Sequence, residues 1–391
     1  MSGTVALTGA TGFLGSHLMA ALLERGERLI ILGRPSEEGR LIDRIGNILA
    51  WFGLHDRDGQ IRTLEVDLPK PLLGLPAPEY RRLCTGIERI IHCASDTRFS
   101  ESRRKESYEA NVRGLDAMIG LARDSGSAYF HYVSTAYVNG ACTADCPEAL
   151  VARTDFANVY EETKAMAEEK VARQLGELAI PFTIIRPSIV YGDSRSGRAN
   201  RFNALYYNVK SLYYIREIYL REIREYGGKK ARESGIHLDE HGILHVPLRI
   251  FLEGPGYVNL IPIDYFVSVA LSILDHPDSG AVYHVTSDAP KTTEGLASYC
   301  ELFLKMKGIG IEYGTPPYGP FQNPAEALFN RFVEPYRPYL SDTRTFERNN
   351  TAAATPGLVP PEFTYPVFER CMNYALCVNW GNRKRPETDA A

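Results

Sequence analysis

The stretch Thr8–Gly15, TGATGFLG, constrains this chain more than any other. It follows a short apolar run, Thr4 to Thr8 (TVALT), that reads as a buried strand. It opens a helical pattern from Phe13 to Arg25, with Leu14, Leu18 and Leu22 on one face. Gly26 stops that helix, and Arg28 to Leu32 (RLIIL) is the next buried strand. Glycines serve many plain turns, but a strand–turn–helix–strand unit of about thirty residues gives them a specific use. Gly9, Gly12 and Gly15 allow a tight turn, a close backbone approach to a pyrophosphate, and close packing of helix on sheet. The helix N-terminus then offers free amides to phosphates. Gly9, Thr11, Gly12, Phe13, Leu14 and Gly15 are therefore candidate dinucleotide contacts, although the spacing is G-x-x-G-x-x-G rather than G-x-G-x-x-G. The predicted fold class is α/β: a Rossmann-type doubly wound parallel sheet, with a smaller, mostly helical C-terminal substrate domain.

The end of the second strand bears on which dinucleotide is bound. An acid there bonds a ribose 2′-hydroxyl, whereas an arginine accommodates a 2′-phosphate. Here Gly33 and Arg34 stand at that point, with Arg40 and Arg44 following on a predicted helix, so NADP (NADPH) is favoured. The other reading of Arg34 is a solvated surface charge. Asp67 and Leu68 (LEVDLPK) follow a third strand, where a side chain and an amide would meet the adenine. Arg89 to Ser95 (RIIHCAS) is a fourth strand ending in small residues, with Ala94 and Ser95 suited to lie against a cofactor ribose.

Two later segments carry acid–base groups. Tyr129 to Val138 (YFHYVSTAYV) is a strand whose end presents Ser134 and Thr135. Tyr160 to Lys164 (YEETK) lies in a helical stretch about 25 residues later, and residues four apart share a helix face. A nearby ammonium favours the phenolate and is expected to lower the phenol from about 10 toward working pH. That would make the tyrosine a proton donor or acceptor, with a hydroxyl of the Ser/Thr strand holding a substrate carbonyl against it.

These motifs together resemble the extended short-chain dehydrogenase/reductase superfamily. The resemblance covers about residues 4 to 290, through TGATGFLG, HCAS, NVRG (Asn111 to Gly114), VSTAYV, YEETK and RPSIVYG (Arg186 to Gly192). VSTAYV with YEETKAMAEE and RPSIVYG looks most like the branch of fatty acyl-CoA reductases and of thioester-reductase domains from carboxylic acid reductases and peptide synthetases. The resemblance implies Thr135 as catalytic hydroxyl, Tyr160 as acid and Lys164 as its partner. It implies that Pro187, Ser188 and Ile189 flank the nicotinamide, that Ser134, Tyr160 and Lys164 also meet the cofactor, and that Asn111 braces the sheet near the site. HCAS departs from the alanine-rich sequence of many relatives, which leaves that loop's contacts open. The implied activity is NADPH-dependent reduction of an acyl thioester, on CoA or a carrier protein, to aldehyde or alcohol, in lipid metabolism. Two alternatives stand beside it: an NAD(P)-dependent dehydrogenase or epimerase of a nucleotide sugar or sterol-like alcohol, and a non-catalytic NADP-sensing protein. The second alternative sits badly with the presence of both Tyr160 and Lys164.

The rest of the chain sets limits. With net charge −4 and pI near 6.2, composition gives no push toward nucleic acid. Seven cysteines, an odd number scattered from Cys84 to Cys377, fit reduced thiols better than a disulfide framework. No charged-then-apolar leader precedes Thr4, and the apolar stretch Tyr265 to Leu274 is about half a membrane span. The expectation is a cytoplasmic protein without a transmembrane segment.

Residues 203–226 (ending SLYYIREIYLREIREY) fit one long amphipathic helix: a core-facing helix of the substrate domain, a lid over an acyl chain, or a peripheral membrane contact. Its Arg216, Arg221 and Arg224, with Lys229 and Lys230, would meet an acidic carrier or a CoA phosphate, or form a solvated face with the interleaved glutamates. His237, His241 and His245 suggest a metal by spacing, but Gly242 in IHLDEHGILHV indicates a hairpin, and no metal is expected. Cys142 and Cys146 lack a second pair at zinc spacing and read as free thiols. Asp264 reads as a helix cap, and Val282 to Pro290 as a return to the sheet. The Pro- and aromatic-rich remainder, including TPPYGPFQNP, is expected to be an irregular cap with helices at 294–307, 324–334 and 366–379, followed by ten disordered residues. The expected domains are 1–192 with 256–290 for the dinucleotide, and 193–255 with 291–391 for the substrate. A homodimer remains open.

Overall fold

The computed structural model describes residues 3–56, 59–127, 129–140, 142, 145–150, 152, 155–314 and 323–381. Most of TPPYGPFQNP and the ten C-terminal residues, where an irregular loop and a disordered tail are expected, lie outside that set.

Seven parallel strands form the central sheet: β1 (Thr4–Thr8), β2 (Arg28–Gly33), β3 (Ile61–Glu65), β4 (Ile87–His92), β5 (Tyr129–Val133), β6 (Phe182–Pro187) and β7 (Val282–Val285). Their order is β3-β2-β1-β4-β5-β6-β7, and every pairing is parallel. The inner strands read as continuous apolar runs because helices cover both faces. Val5, Ala6 and Leu7 of β1 have no exposed surface, and Ile90, Phe130 and Ile184 of the neighbouring strands have none either. The chain runs outward from β1 through β3, then restarts on the other side of β1 at β4. That reversal places a crevice beyond the carboxyl ends of β1 and β4, where open α/β sheets bind ligands. Thr8 pairs with Leu32 on one side and His92 on the other, so the glycine turn and the HCAS segment leave the sheet side by side.

The helix Val159–Glu177 shows how sequence selects a face. Val159, Thr163, Ala167, Val171 and Leu175 recur every four residues and are buried, and beside that stripe Lys164 and Glu168 are buried as well. Asn158 caps its start by accepting from the Glu161 amide, and Glu161 Oε2 accepts from the Ala157 amide, a reciprocal cap.

The chain divides into two compact units. The first comprises residues 1–188, 263–286 and 344–360; the second comprises 189–262, 287–343 and 361–391. Within the second, the helix Leu205–Tyr226 buries Leu205, Tyr206, Val209, Leu212, Ile215 and Leu220, which is the core-facing arrangement. The second unit also holds a three-stranded sheet: Leu244–Leu252 pairs parallel with Met306–Tyr313 and antiparallel with His237–Leu238. The hairpin at Gly242 is present, with the Asp239 amide donating to the Ile243 carbonyl and His245 Nε2 lying 2.9 Å from Asp239 Oδ2. The helix expected at 294–307 is Thr293–Leu304, because Lys305 turns left-handed (φ 50°) and Met306 begins a strand. The other two expected helices are Pro324–Val333 and Tyr365–Cys377. Asp264 lies in the first turn of Ile263–Asp275. Residues 344–360 return to the first unit: Thr345–Phe346 pairs with Asp145–Cys146, and the helix Asn349–Ala354 packs on β7. None of the seven cysteines is joined in a disulfide. Among the described residues, no helix is long and apolar enough to cross a membrane, and no group of three or more His, Cys, Asp or Glu is placed to hold a metal ion.

Candidate active site at the carboxyl ends of the sheet

The turn after β1 has almost no spare volume. Gly9 has φ +78°, and a Cβ there would stand 2.6 Å from the Cys93 carbonyl carbon and 2.7 Å from the Ala94 amide. A Cβ on Gly15 would stand 2.2 Å from the Gly9 carbonyl oxygen, so the helix Phe13–Glu24 approaches the turn as only glycine allows. Gly12 caps that helix without a side chain, which leaves its first-turn amides for a ligand. This cradle fits a dinucleotide pyrophosphate.

Thr8, which sequence reading left as a strand end, organises the crossing. Its Oγ1 accepts from the Cys93 and Ala94 amides, each at 3.1 Å, and lies 2.9 Å from His92 Nδ1. With two donors already on that oxygen, the hydroxyl proton points to His92 Nδ1, and the network assigns the imidazole proton to Nε2. Burial first, then the Lys164 ammonium, pushes His92 down to about 3, so the ring is neutral. It stacks on Tyr132 at 6.0 Å.

Asn111 ties the next loop down from the π-helical turn Glu109–Arg113. Its Oδ1 accepts from the Asp96 amide at 2.7 Å and from Ser95 Oγ at 3.1 Å. Its Nδ2 donates to the Asp96 carbonyl at 2.9 Å and to Thr163 Oγ1 at 3.0 Å, joining that loop to the helix of Tyr160.

The three candidate catalytic groups stand on the helix Val159–Glu177 and on the segment that leaves β5. Tyr160, in the first turn of Val159–Glu177, lies beside the Thr135 side chain past the end of β5, which pulls its phenol downward. Lys164 donates to the Val133 carbonyl at 2.7 Å, and its Nζ lies 4.2 Å from the Tyr132 ring centroid. The expected effect on the phenol is reversed. Desolvation by burial raises the Tyr160 phenol well above 10, and the nearby Thr135 side chain only partly opposes it. The ammonium expected to lower it is bound to the strand backbone instead. Burial pushes Lys164 down to about 8, against the upward pull of Cys93 and Glu168.

Ser134 donates its backbone amide to Ile185, and Ser188 donates its amide to Val285. Their Oγ atoms are buried and make no hydrogen bond among the described residues, so two hydroxyls at the ends of β5 and β6 await a polar partner. Pro187 ends β6, and Ile189 begins the second unit. Arg34 is exposed beyond β2, and its guanidinium makes no ion pair among the described residues. Arg44 holds the loop below it, donating to the Arg34 and Gly39 carbonyls. Glu65, which pairs with Gly33 across the sheet, is taken up accepting from the Leu41 amide. Asp67 pairs with Lys70 at 2.9 Å, and the Leu68 side chain lies against Gly114. Thr11, Phe13, Leu14, Ala94 and Ser95 lie in the two segments that leave β1 and β4.

The sequence profile of the male sterility protein family, an NAD-binding family, matches residues 7–269. The chain belongs to this family. Its place is within the extended short-chain dehydrogenase/reductase superfamily of oxidoreductases, in the thioester-reductase-like branch. Among curated relatives, the nonribosomal peptide synthetase asaC of Aspergillus flavus is 28% identical over 89% of this chain and 34% of its own length. The L-2-aminoadipate reductase large subunit of Eremothecium gossypii is 23% identical over 83% of this chain and 22% of its own. The chain thus spans about a third or less of these relatives. In fold it is similar to the terminal R domain from the myxalamid PKS-NRPS pathway, with TM-score 0.74, 22% identity, and coverage of 99% of this chain and 93% of that one. A UDP-glucuronic acid 4-epimerase from Bacillus cereus, solved with NAD, gives 0.64 at 15% identity, covering 97% and 99%. These two likenesses are of fold, as expected from the sheet order.

Proposed function

We propose that this family member reduces an acyl thioester held on a carrier protein, with NADPH as reductant, and releases an aldehyde or alcohol. The observation that carries this reading is the placement of Tyr160 beside the Thr135 hydroxyl past the end of β5, where buried Lys164 binds the Val133 carbonyl, together with the glycine cradle after β1. The curated relatives favour a carrier over free CoA: they include a nonribosomal peptide synthetase and an aminoadipate reductase, and one fold neighbour is a thiolation-reductase di-domain from an archaeal synthetase.

Gly9, Gly12 and Gly15 with the first-turn amides would hold the pyrophosphate, Arg34 a 2′-phosphate, and Ser134, Pro187, Ser188 and Ile189 the nicotinamide end. When bound, a reduced nicotinamide supplies hydride to the thioester carbonyl carbon. Thr135 steadies the carbonyl oxygen and Tyr160 donates the proton that it takes up. A phenol held above its usual range by burial keeps that proton ready at neutral pH. The resulting hemithioacetal collapses to an aldehyde and the carrier's thiol, with no covalent enzyme intermediate.

The test is NADPH oxidation with an acyl group on a carrier protein, beside the same acyl group on CoA. Turnover with the carrier thioester is the expected result, and NADPH binding without turnover on either thioester overturns the reading in favour of alcohol or sugar substrates. In the same assay, Arg34→Ala should raise KM for NADPH about tenfold or more, as loss of a charge-assisted phosphate contact implies, and leave NADH use unchanged. Equal effects on both cofactors would remove Arg34 from phosphate recognition.

A further inference from the structure

One buried ion pair has no part in the chemistry above. Arg186, 1% exposed in β6, donates from Nε and Nη2 to both carboxylate oxygens of Glu168, at 2.9 and 2.6 Å. Its Nη1 donates to the Pro147 carbonyl and to His284 Nε2 at 3.2 Å. His284 is therefore the tautomer with its proton on Nδ1, which donates to the Glu347 carbonyl at 2.9 Å. Glu148 closes the cluster: its carboxylate accepts from the His284 amide, from the Asn350 and Thr351 amides and from the Thr351 hydroxyl. A guanidinium this deep, held on every side, is set in one place.

That place is informative. Glu168 lies four residues after Lys164 on the same helix, and both are buried against the sheet. Arg186 immediately precedes Pro187 and Ser188. We infer that the Glu168–Arg186 pair is a positioning element for Lys164: it locks the helix of Tyr160 and Lys164 to the strand ending in Pro187–Ser188 and supplies the negative charge facing the ammonium. This rests on the reduction proposed above, whose proton donor Tyr160 shares the helix with Lys164.

The groups around Lys164 are the Val133 carbonyl and Tyr132 ring of β5, neutral His92 at the end of β4 and the Cys93 thiol beyond it, and Glu168 on its own helix. Glu168 is the charged acid in that set. Removing it should make Lys164 lose its proton at lower pH, so the basic limb of the turnover–pH profile moves down.

The experiment follows Lys164 directly, by NMR of isotope-labelled lysine in the full chain, with Lys164→Arg to assign the signal, alongside the pH profile. Glu168→Gln strands a buried guanidinium, so the double variant Glu168→Gln/Arg186→Met, which removes both charges, is measured beside Glu168→Asp, which keeps the charge and withdraws it by one methylene. The double variant should titrate Lys164 about one unit lower, and Glu168→Asp should move it less in the same direction. A folded variant of either kind with an unmoved Lys164 titration overturns the inference and leaves the pair structural. The NMR readout needs no substrate, so absence of thioester turnover in the parent would count against the reduction reading alone.

Discussion

Tyr160→Phe is expected to lower turnover about a hundred- to ten-thousand-fold, the usual range for losing a positioned proton donor, while leaving cofactor affinity within about twofold. The ring keeps its place in the first turn of Val159–Glu177, and only the hydroxyl beside Thr135 goes. The loss should fall on kcat and kcat/KM together, because the proton is needed in the transition state and not for binding. The pH profile gives a second check. With the phenol raised by burial, Tyr160 stays protonated through the neutral range, so a basic limb near pH 8 would report Lys164, which is depressed to about 8. Activity retained below that limb and lost above it is the expected sign. A limb at or above pH 10 would mean that the tyrosine itself is titrating.

Gly15→Ala is the other large effect. Its Cβ would lie 2.2 Å from the Gly9 oxygen and 2.6 Å from the Gly9 carbonyl carbon, both of them backbone atoms that cannot swing aside. The helix must lift from the turn, at a cost of about 1–3 kcal/mol for overpacking, and its N-terminal amides would leave the position proposed for the phosphate. Thermal unfolding with and without NADPH separates the two consequences. The parent should gain about 2.7 kcal/mol at a hundredfold excess of cofactor over Kd, and the variant should gain next to nothing. Gly12→Ala is the control: its Cβ would meet only the Gly9 oxygen, at 3.2 Å, with φ at −86°. Apo stability lost equally in both would refute the packing argument.

Local pattern made the first unit readable. The β1–turn–helix–β2 unit, the hydroxyl strand and the Tyr160–Lys164 spacing are all encoded within a few residues. What escaped has partners far apart in sequence: Thr8 bonds residues 84 to 86 positions away, and Arg186 meets His284 across 98. The phenol's upward shift escaped for a related reason, since desolvation depends on what the fold packs above the ring. The run MKGIGIEY carries both periods weakly, and pairing with Leu244–Leu252 decides it as a strand. Residues 344–360 offered no motif to say that they rejoin the first unit.

That late return has a consequence for how the protein is made. β7 is followed by about sixty residues of the other unit before Asn349–Ala354 can pack against it. At the usual speed of translation, the interval from Ser188 to Ala354 lasts roughly ten to thirty seconds. Through that time Arg186 lacks first His284 and then the Glu347 carbonyl that holds His284 in place. The first unit is therefore completed only after residues 287–343 of the other have been made, and folding on the ribosome must tolerate an open sheet edge until the final turn of that short helix emerges.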